Sequence, residues 1–231
     1  MIQTSGLTRR IGGTSALANV DLHVARGECV GLTGTNGAGK TTLMRVLATL
    51  VPPSTGSASI DGIDIVRHPY DVRPRIAYVG DECVRGHGLD VHEYLAFIRA
   101  ARPASAAPGQ SATVETVLDR AGLPAHAAVD ALSSGLRQRL ALASAFLIEP
   151  KVLLLDDPFR ALDAPARSVF VEWLCEIRDR GATIVAALND DRDMKALCHT
   201  IVRLESGRVA SLSRLRMLAT SSAPAAAASG A

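Results

Sequence analysis

Long apolar runs are missing from this sequence. No stretch reaches the roughly 18 uninterrupted apolar residues that a membrane-spanning helix needs, so the 231-residue chain is expected to meet a membrane only through a partner. A secretory leader is not expected either: Met1 leads straight into a strand-like segment, without basic flank, apolar run and cleavage site. Aromatic residues make up only 3% of the chain, so its core must be built from Ala, Val, Leu and Ile. The four cysteines (Cys29, Cys83, Cys175, Cys198) form no C-x-x-C pair and have no histidine cluster beside them. That excludes a zinc module and a disulfide framework and fits a reduced, cytosolic setting. Strong charge of one sign is absent too. The formal net charge is +2, and Arg9-Arg10 is the only basic pair before residue 130, so a nucleic-acid partner is not expected. No internal repeat is present.

What the chain does have is 48% hydrophobic residues, enough for one large α/β domain or a core with a small helical companion. Val20, Leu22 and Val24 alternate with Asp21 and His23, as in a half-buried strand. Residues 29–33 read as a buried strand, and a helix is predicted from Lys40 to about Leu50, stopped by Pro52-Pro53. Residues 57–65 form a predicted hairpin around Asp61-Gly62, and 76–79 a further strand. From Asp90 the composition turns to Ala, Leu and Arg with helical periodicity, interrupted by the small-residue loop 103–108. A helical subdomain over about 88–149 is therefore predicted as an insert in the α/β core. The core resumes with 152–155, whose unbroken apolar run suits a central parallel strand. A helix over 164–180 ends at Gly181, a buried strand follows at 183–188, and 202–204 and 209–212 pair around Gly207. The domain is expected to span 1–218. The Ala/Ser-rich tail 219–231 is expected to be disordered.

Gly34-Thr35-Asn36-Gly37-Ala38-Gly39-Lys40-Thr41 stands between a buried strand and a helix, which is the context of a P-loop rather than of an ordinary glycine turn. Glycines let backbone N–H groups turn inward around phosphates, and the following helix adds its N-terminal dipole. Lys40 supplies a point charge for the β/γ oxygens and Thr41 a hydroxyl for Mg²⁺, while Thr42 can serve the α-phosphate. A second Mg²⁺ carboxylate is expected at Asp156, which emerges from the C-terminal end of the 152–155 strand, where ligands of open α/β sheets bind. The segment Leu132-Ser133-Ser134-Gly135-Leu136-Arg137-Gln138 opens a helix, with Ser133 as its N-cap and Gly135 leaving amides open to an anion.

With these motifs in this order, the chain resembles the ATP-binding subunit of an ATP-binding cassette (ABC) transporter from about residue 2 to about residue 212. The resemblance rests on 34–42, on the signature at 132–138, on Asp156 and on the Ala161-Leu162-Asp163 turn. It implies a P-loop NTPase core of ABC ATPase type, with a mostly parallel sheet, an antiparallel portion and the helical insert. It implies ATP and Mg²⁺ as ligands, and two cassettes dimerising head to tail. Ser133, Ser134, Gly135 and Leu136 of one would then meet the nucleotide of the other. It also implies a separate membrane-spanning subunit docking beside 81–102, on the cytoplasmic side of the membrane. The segment 76–103 looks most like subunits of two-component efflux systems, which implies export.

Six positions depart from the family pattern. The general-base Glu is replaced by Asp157, the switch His by Asn189 and the Q-loop Gln by Asp81. The adenine-stacking aromatic is replaced by Ile11, and the signature reads Ser-Ser-Gly-Leu for Ser-Gly-Gly-Gln. Asp157 would sit about 1 Å too far from an attacking water, a displacement that can cost about 10²-fold. Asn189 can donate to a γ-phosphate but cannot titrate. Asp81 remains a hard ligand for Mg²⁺. The expected outcome is intact phosphate binding with weakened hydrolysis, in a homodimer or beside a second cassette subunit. Two alternatives stand: a non-hydrolysing regulatory subunit, and a soluble cassette ATPase acting on nucleic acid or the ribosome.

Overall fold

The computed structural model describes residues 1–80, 84–102 and 112–215. β1 (Ile2–Ile11) and β2 (Thr14–Val24) form a long antiparallel hairpin, extended by β4 (Thr55–Ile60) and β5 (Ile63–Asp64) into a four-stranded sheet of order β2-β1-β4-β5. The alternation at 20–24 survives in three dimensions: Val20, Leu22 and Val24 are buried and the residues between them exposed. Asp61-Gly62 makes the expected turn, with φ of 54° and 79°, the backbone of a type I′ hairpin.

The second sheet has six strands in the order β10-β9-β3-β8-β7-β6. β3 (Cys29–Thr33), β6 (Ile76–Val79), β7 (Val152–Asp156), β8 (Thr183–Ala187) and β9 (Thr200–Glu205) run parallel, and β10 (Arg208–Arg214) is the antiparallel edge. Both faces of this sheet are covered, which explains the unbroken apolar runs. Val30, Leu32, Val152, Leu154 and Val185 face one core, shared with the four-stranded sheet and with α1 (Lys40–Leu47). Cys29, Leu153, Leu155, Ile184 and Ala186 face the other. That second core holds α3 (Val91–Ala101), α4 (Val114–Ala121), α5 (Ser134–Leu147) and α6 (Ala164–Asp179). Phe146, Phe170 and Trp173 form its aromatic centre, with ring centroids 4.7–5.9 Å apart.

α1 ends at Leu47, before the residue expected. Thr49 turns to φ 59°, and the Leu50 N–H folds back to the Arg45 carbonyl, so the chain leaves the helix ahead of Pro52-Pro53. Two short helices carry too few apolar repeats to be read in sequence: α2 (Pro69–Val72) and α7 (Asp191–Leu197). The tail 219–231 and the loop 103–108 lie outside the described residues. Among the described residues, no helix is long and apolar enough to cross a membrane.

Candidate functional site

Strand register brings the motifs level with one another. Leu32 of β3 and Asp156 of β7 both pair with Ala187 of β8, so the three strands end at one height. Beyond that line the chain continues into the glycine loop, into Asp157 and into Leu188-Asn189. A cleft of about 270 Å³ lies there, walled by residues 36–42 together with Ala16, Asp156, Asp157, Arg160, Ala187 and Asn189. The site therefore sits at the C-terminal ends of parallel strands.

The loop is held by the sheet behind it. Gly34 has φ 143°, and a β-carbon there would lie 2.3 Å from the Leu204 carbonyl oxygen of β9. Gly39, at φ 105°, is the residue before α1, and Gly207 donates its N–H to the Ala38 carbonyl at 3.0 Å. Lys40 turns its ammonium back over the loop, donating to the carbonyls of Gly34 (2.6 Å) and Thr35 (3.1 Å). The loop thus presents a positive charge, the free N–H groups of the α1 start and the hydroxyls of Thr41 and Thr42 to one cleft. Such a cradle suits a chain of phosphates.

Opposite the loop stand the acidic groups. Asp156 ends β7, with the Tyr78 hydroxyl 3.5 Å from its Oδ2. Thr41 and Asp156 share the cleft wall and are both hard oxygen donors, the donor type Mg²⁺ prefers, so the residues present fit that ion. Asp157 turns into the left-handed region at φ 49°, and its N–H donates to the Ala187 carbonyl at 3.2 Å. Asn189 lies exposed between the buried Leu188 and Asp190, the N-cap of α7.

The signature residues lie elsewhere. Ser133 caps α5, its hydroxyl accepting the Leu136 N–H at 3.3 Å. A β-carbon at Gly135 would lie 2.9 Å from the Ala161 carbonyl, so this glycine also lets α5 pack against the Ala161-Leu162-Asp163 turn. Arg139 pins that turn through Asp163, the N-cap of α6, with both contacts at 3.2 Å. None of Ser133, Ser134, Gly135 and Leu136 lines the 270 Å³ cleft. Ser134 lines an adjoining cleft of about 650 Å³, which shares Asp157 and Arg160 with the first. Ile11 stands at the β1–β2 tip, 57% exposed and not part of the phosphate cleft wall. Asp81 lies outside the described residues. Sequence reasoning passed over Ala16, Arg160 and Ala187. No motif marks Ala16, which enters through the β1–β2 hairpin, and Arg160 follows Asp157 by three residues with only its charge as a signal.

A glycine loop that cradles phosphates after a buried strand, faced by a strand-end Asp, defines the class of P-loop nucleotide-binding proteins. Within that class the chain belongs to the ABC transporter family: the ABC transporter family model matches residues 17–160. It is similar to the sulfate/thiosulfate import ATP-binding protein CysA of Bordetella parapertussis, 36% identical over 220 residues, covering 90% of this chain and 60% of that protein. The ABC transporter ATP-binding protein NatA of Bacillus subtilis is 31% identical over 197 residues, covering 84% of this chain and 80% of that protein. The chain thus spans about three fifths of the length of its CysA relatives. Among solved structures, an ATP-binding subunit of an ABC transporter superposes with a TM-score of 0.83 at 28% identity, covering 93% of this chain and 90% of that one. The ATP-binding cassette MJ0796, dimeric and bound to ADP and Pi in a post-hydrolysis state, gives 0.83 at 25% identity, covering 94% of this chain and all of that one.

Proposed function

We propose that this chain is the ATP-hydrolysing, energy-coupling subunit of a membrane transporter, working as a head-to-tail pair of cassettes around ATP. The observation that carries this is the separation of two groups. The glycine loop, Asp156, Asp157 and Asn189 meet in one cleft, while the signature residues of the same chain stay out of it. A second cassette must then bring its own Ser133 and Gly135 to the phosphates held here. The dimeric MJ0796 neighbour supports that arrangement. Lys40 and the loop amides bind the phosphates, and Asp157 takes the proton of an attacking water. Asn189 donates to the γ-phosphate. Thr41 and Asp156 would hold Mg²⁺ together with phosphate oxygens, and that ion supplies neutralising charge when bound.

Turnover in this reading is slow, because Asp157 is one methylene shorter than the family's Glu and Asn189 cannot titrate. A competent second subunit would then supply the faster site; the alternative is a plain homodimer for which Asp157 suffices. The membrane subunit docks beside α3. Phe97 of that helix is 61% exposed, and a cleft of about 690 Å³ next to it is walled by Leu50, Tyr70, Arg73, Ala101 and Arg102, among others. This surface would place the protein at the cytoplasmic face of a membrane. Export is the proposed direction, on the resemblance of 76–103 to efflux subunits. The CysA relatives, named for import, define the competing outcome of a transport assay in inside-out vesicles. ATP binding and turnover on one purified sample test the core of the proposal. Binding in the micromolar range with measurable phosphate release, and an ATP-dependent dimer by light scattering, are expected. Failure to bind ATP would overturn it.

A further inference from the structure

Two loops carry the residues on which hydrolysis would depend, and one arginine touches both. Arg167, in the first turn of α6, points its guanidinium at α7. Its Nε donates to Asp193 Oδ2 at 2.9 Å, and a terminal nitrogen lies 3.0 Å from Asp190 Oδ2. The same guanidinium stands 5.8 Å from the ring centroid of Phe159. Asp190 directly follows Asn189, and Phe159 is two residues beyond Asp157. Both Phe159 and Asp193 are buried, so neither can follow a displaced neighbour into solvent. Asp193 is the main reason the Arg167 guanidinium holds its proton more tightly than usual. The Arg192 N–H, then the Arg192 side chain, keep Asp190 below the usual carboxylate range, with Arg167 adding to the effect. Arg167 and Asp190 therefore both carry charge at neutral pH.

We infer that Arg167 is a positioning residue for ATP hydrolysis, holding the Asp157 loop and the Asn189 loop in one fixed relation. This rests on the hydrolytic reading proposed above. A planar fork can satisfy two carboxylates while its face rests against a ring; a lysine ammonium is a single point charge and cannot do all three. The two loops are also tied by the Asp157 N–H to the Ala187 carbonyl, but that bond fixes the backbone only at the base of each loop. Arg167 fixes them further out, at Asp190 and Phe159, where a hinge about the strand ends would otherwise open. Arg167 does not line the phosphate cleft, so its loss should alter the rate rather than the affinity.

The test compares wild-type with Arg167→Lys and Asp193→Asn, using ATP affinity, kcat and KM, and amide hydrogen exchange. Arg167→Lys is expected to lower kcat by about 10–100-fold, the cost of misplacement on the ångström scale. KM and Kd for ATP should stay within about threefold, because the glycine loop is untouched. Exchange should quicken in 157–160 and in 188–194 together, and not in 34–42. Asp193→Asn, which keeps the shape and halves the charge pairing, should give a smaller loss of the same pattern. An unchanged kcat, or exchange that quickens around α7 alone, would overturn the inference and leave Arg167 a staple for α7. Should wild-type prove unable to hydrolyse ATP, the hydrolytic reading fails by itself, and the exchange pattern still decides whether Arg167 couples the two loops.

Discussion

Replacing Asp157 by Glu separates what this position does for the rate from what it does for the fold. The backbone here sits at φ 49°, in the left-handed region. Asp is several-fold enriched there because its short side chain bonds locally, and a several-fold preference corresponds to about 0.6–1 kcal/mol. Glu forfeits that preference, so the variant should be destabilised by about that amount. In a domain of this size each kcal/mol shifts Tm by about 2–4 °C, which gives an expected fall of about 1–4 °C. The carboxylate meanwhile advances by one methylene toward the water, and recovering about 1 Å of misplacement should raise turnover by about 10–100-fold. ATP affinity should not move, since no phosphate contact changes. The assay is phosphate release at saturating ATP, beside a thermal melt and an ATP titration on the same preparation. Asp157→Asn is the control: it tolerates the same φ, so it should melt near wild-type and lose turnover. A Glu variant with a lower Tm and an unchanged rate would refute the idea that a short base limits the site. An Asn variant that turns over like wild-type would refute Asp157 as the base altogether.

The other predictions concern binding and stability. Lys40→Ala should weaken ATP binding by at least about 100-fold, the loss of one charge-assisted contact that the loop cannot replace, measured by equilibrium titration. Gly34→Ala should cost about 3 kcal/mol or more in urea unfolding, because a β-carbon would stand 2.3 Å from the Leu204 carbonyl at a φ that suits glycine. Asp61 lies 15% exposed between Lys151 (2.9 Å), Arg26 (2.7 Å) and Arg75 (3.4 Å), and these cations, Lys151 first, hold its carboxyl below the usual range. With the folded value below the unfolded one, its stabilisation is present above about pH 4 and is lost as pH falls through the folded value. Asp61→Asn should therefore cost up to about 1 kcal/mol near pH 7, since solvent around the partly exposed cations screens the pairing, and should flatten the acid limb of a pH–stability curve.

How much of this was legible in the sequence depended on whether the signal was local. The parallel strands were readable because burial on both faces demands unbroken apolar runs at 29–33, 152–155 and 183–187. Asp61-Gly62 was readable because few residue pairs accept positive φ twice in succession. α7 was not, because its seven residues owe their helix to the Asp190 cap and the Arg167 contacts, which are tertiary facts. The end of α1 was misjudged for a similar reason: prolines announce a stop, but Thr49 turns the chain before they are reached. In the site, glycine spacing and a strand-end Asp fixed the phosphate cleft. Ala16 entered it from a hairpin far along the chain, which no spacing rule reports.

The packing also explains why Gly34 and Gly135 keep the family pattern while Asp157 and Asn189 depart from it. Gly34 and Gly135 are hemmed in by the carbonyls of Leu204 and Ala161, so changing either disturbs a sheet or a helix contact. Asp157 and Asn189 sit on loop residues that are only partly buried or exposed, where one polar side chain can replace another without touching either core. The loop and signature glycines are thus coupled to the fold, whereas the side chains proposed to set the rate are not. A chain can lose speed at such positions and keep its shape, its nucleotide and its dimer surface. In the proposed pair the base comes from the chain that holds the phosphates and the signature from the other. This chain would then hold its own ATP long while serving the ATP of a faster partner through Ser133. Phosphate release measured with a partner whose loop lysine has been removed would isolate the slow site, and the reverse combination the fast one. Equal rates in the two would mean that Asp157 and Asn189 limit nothing.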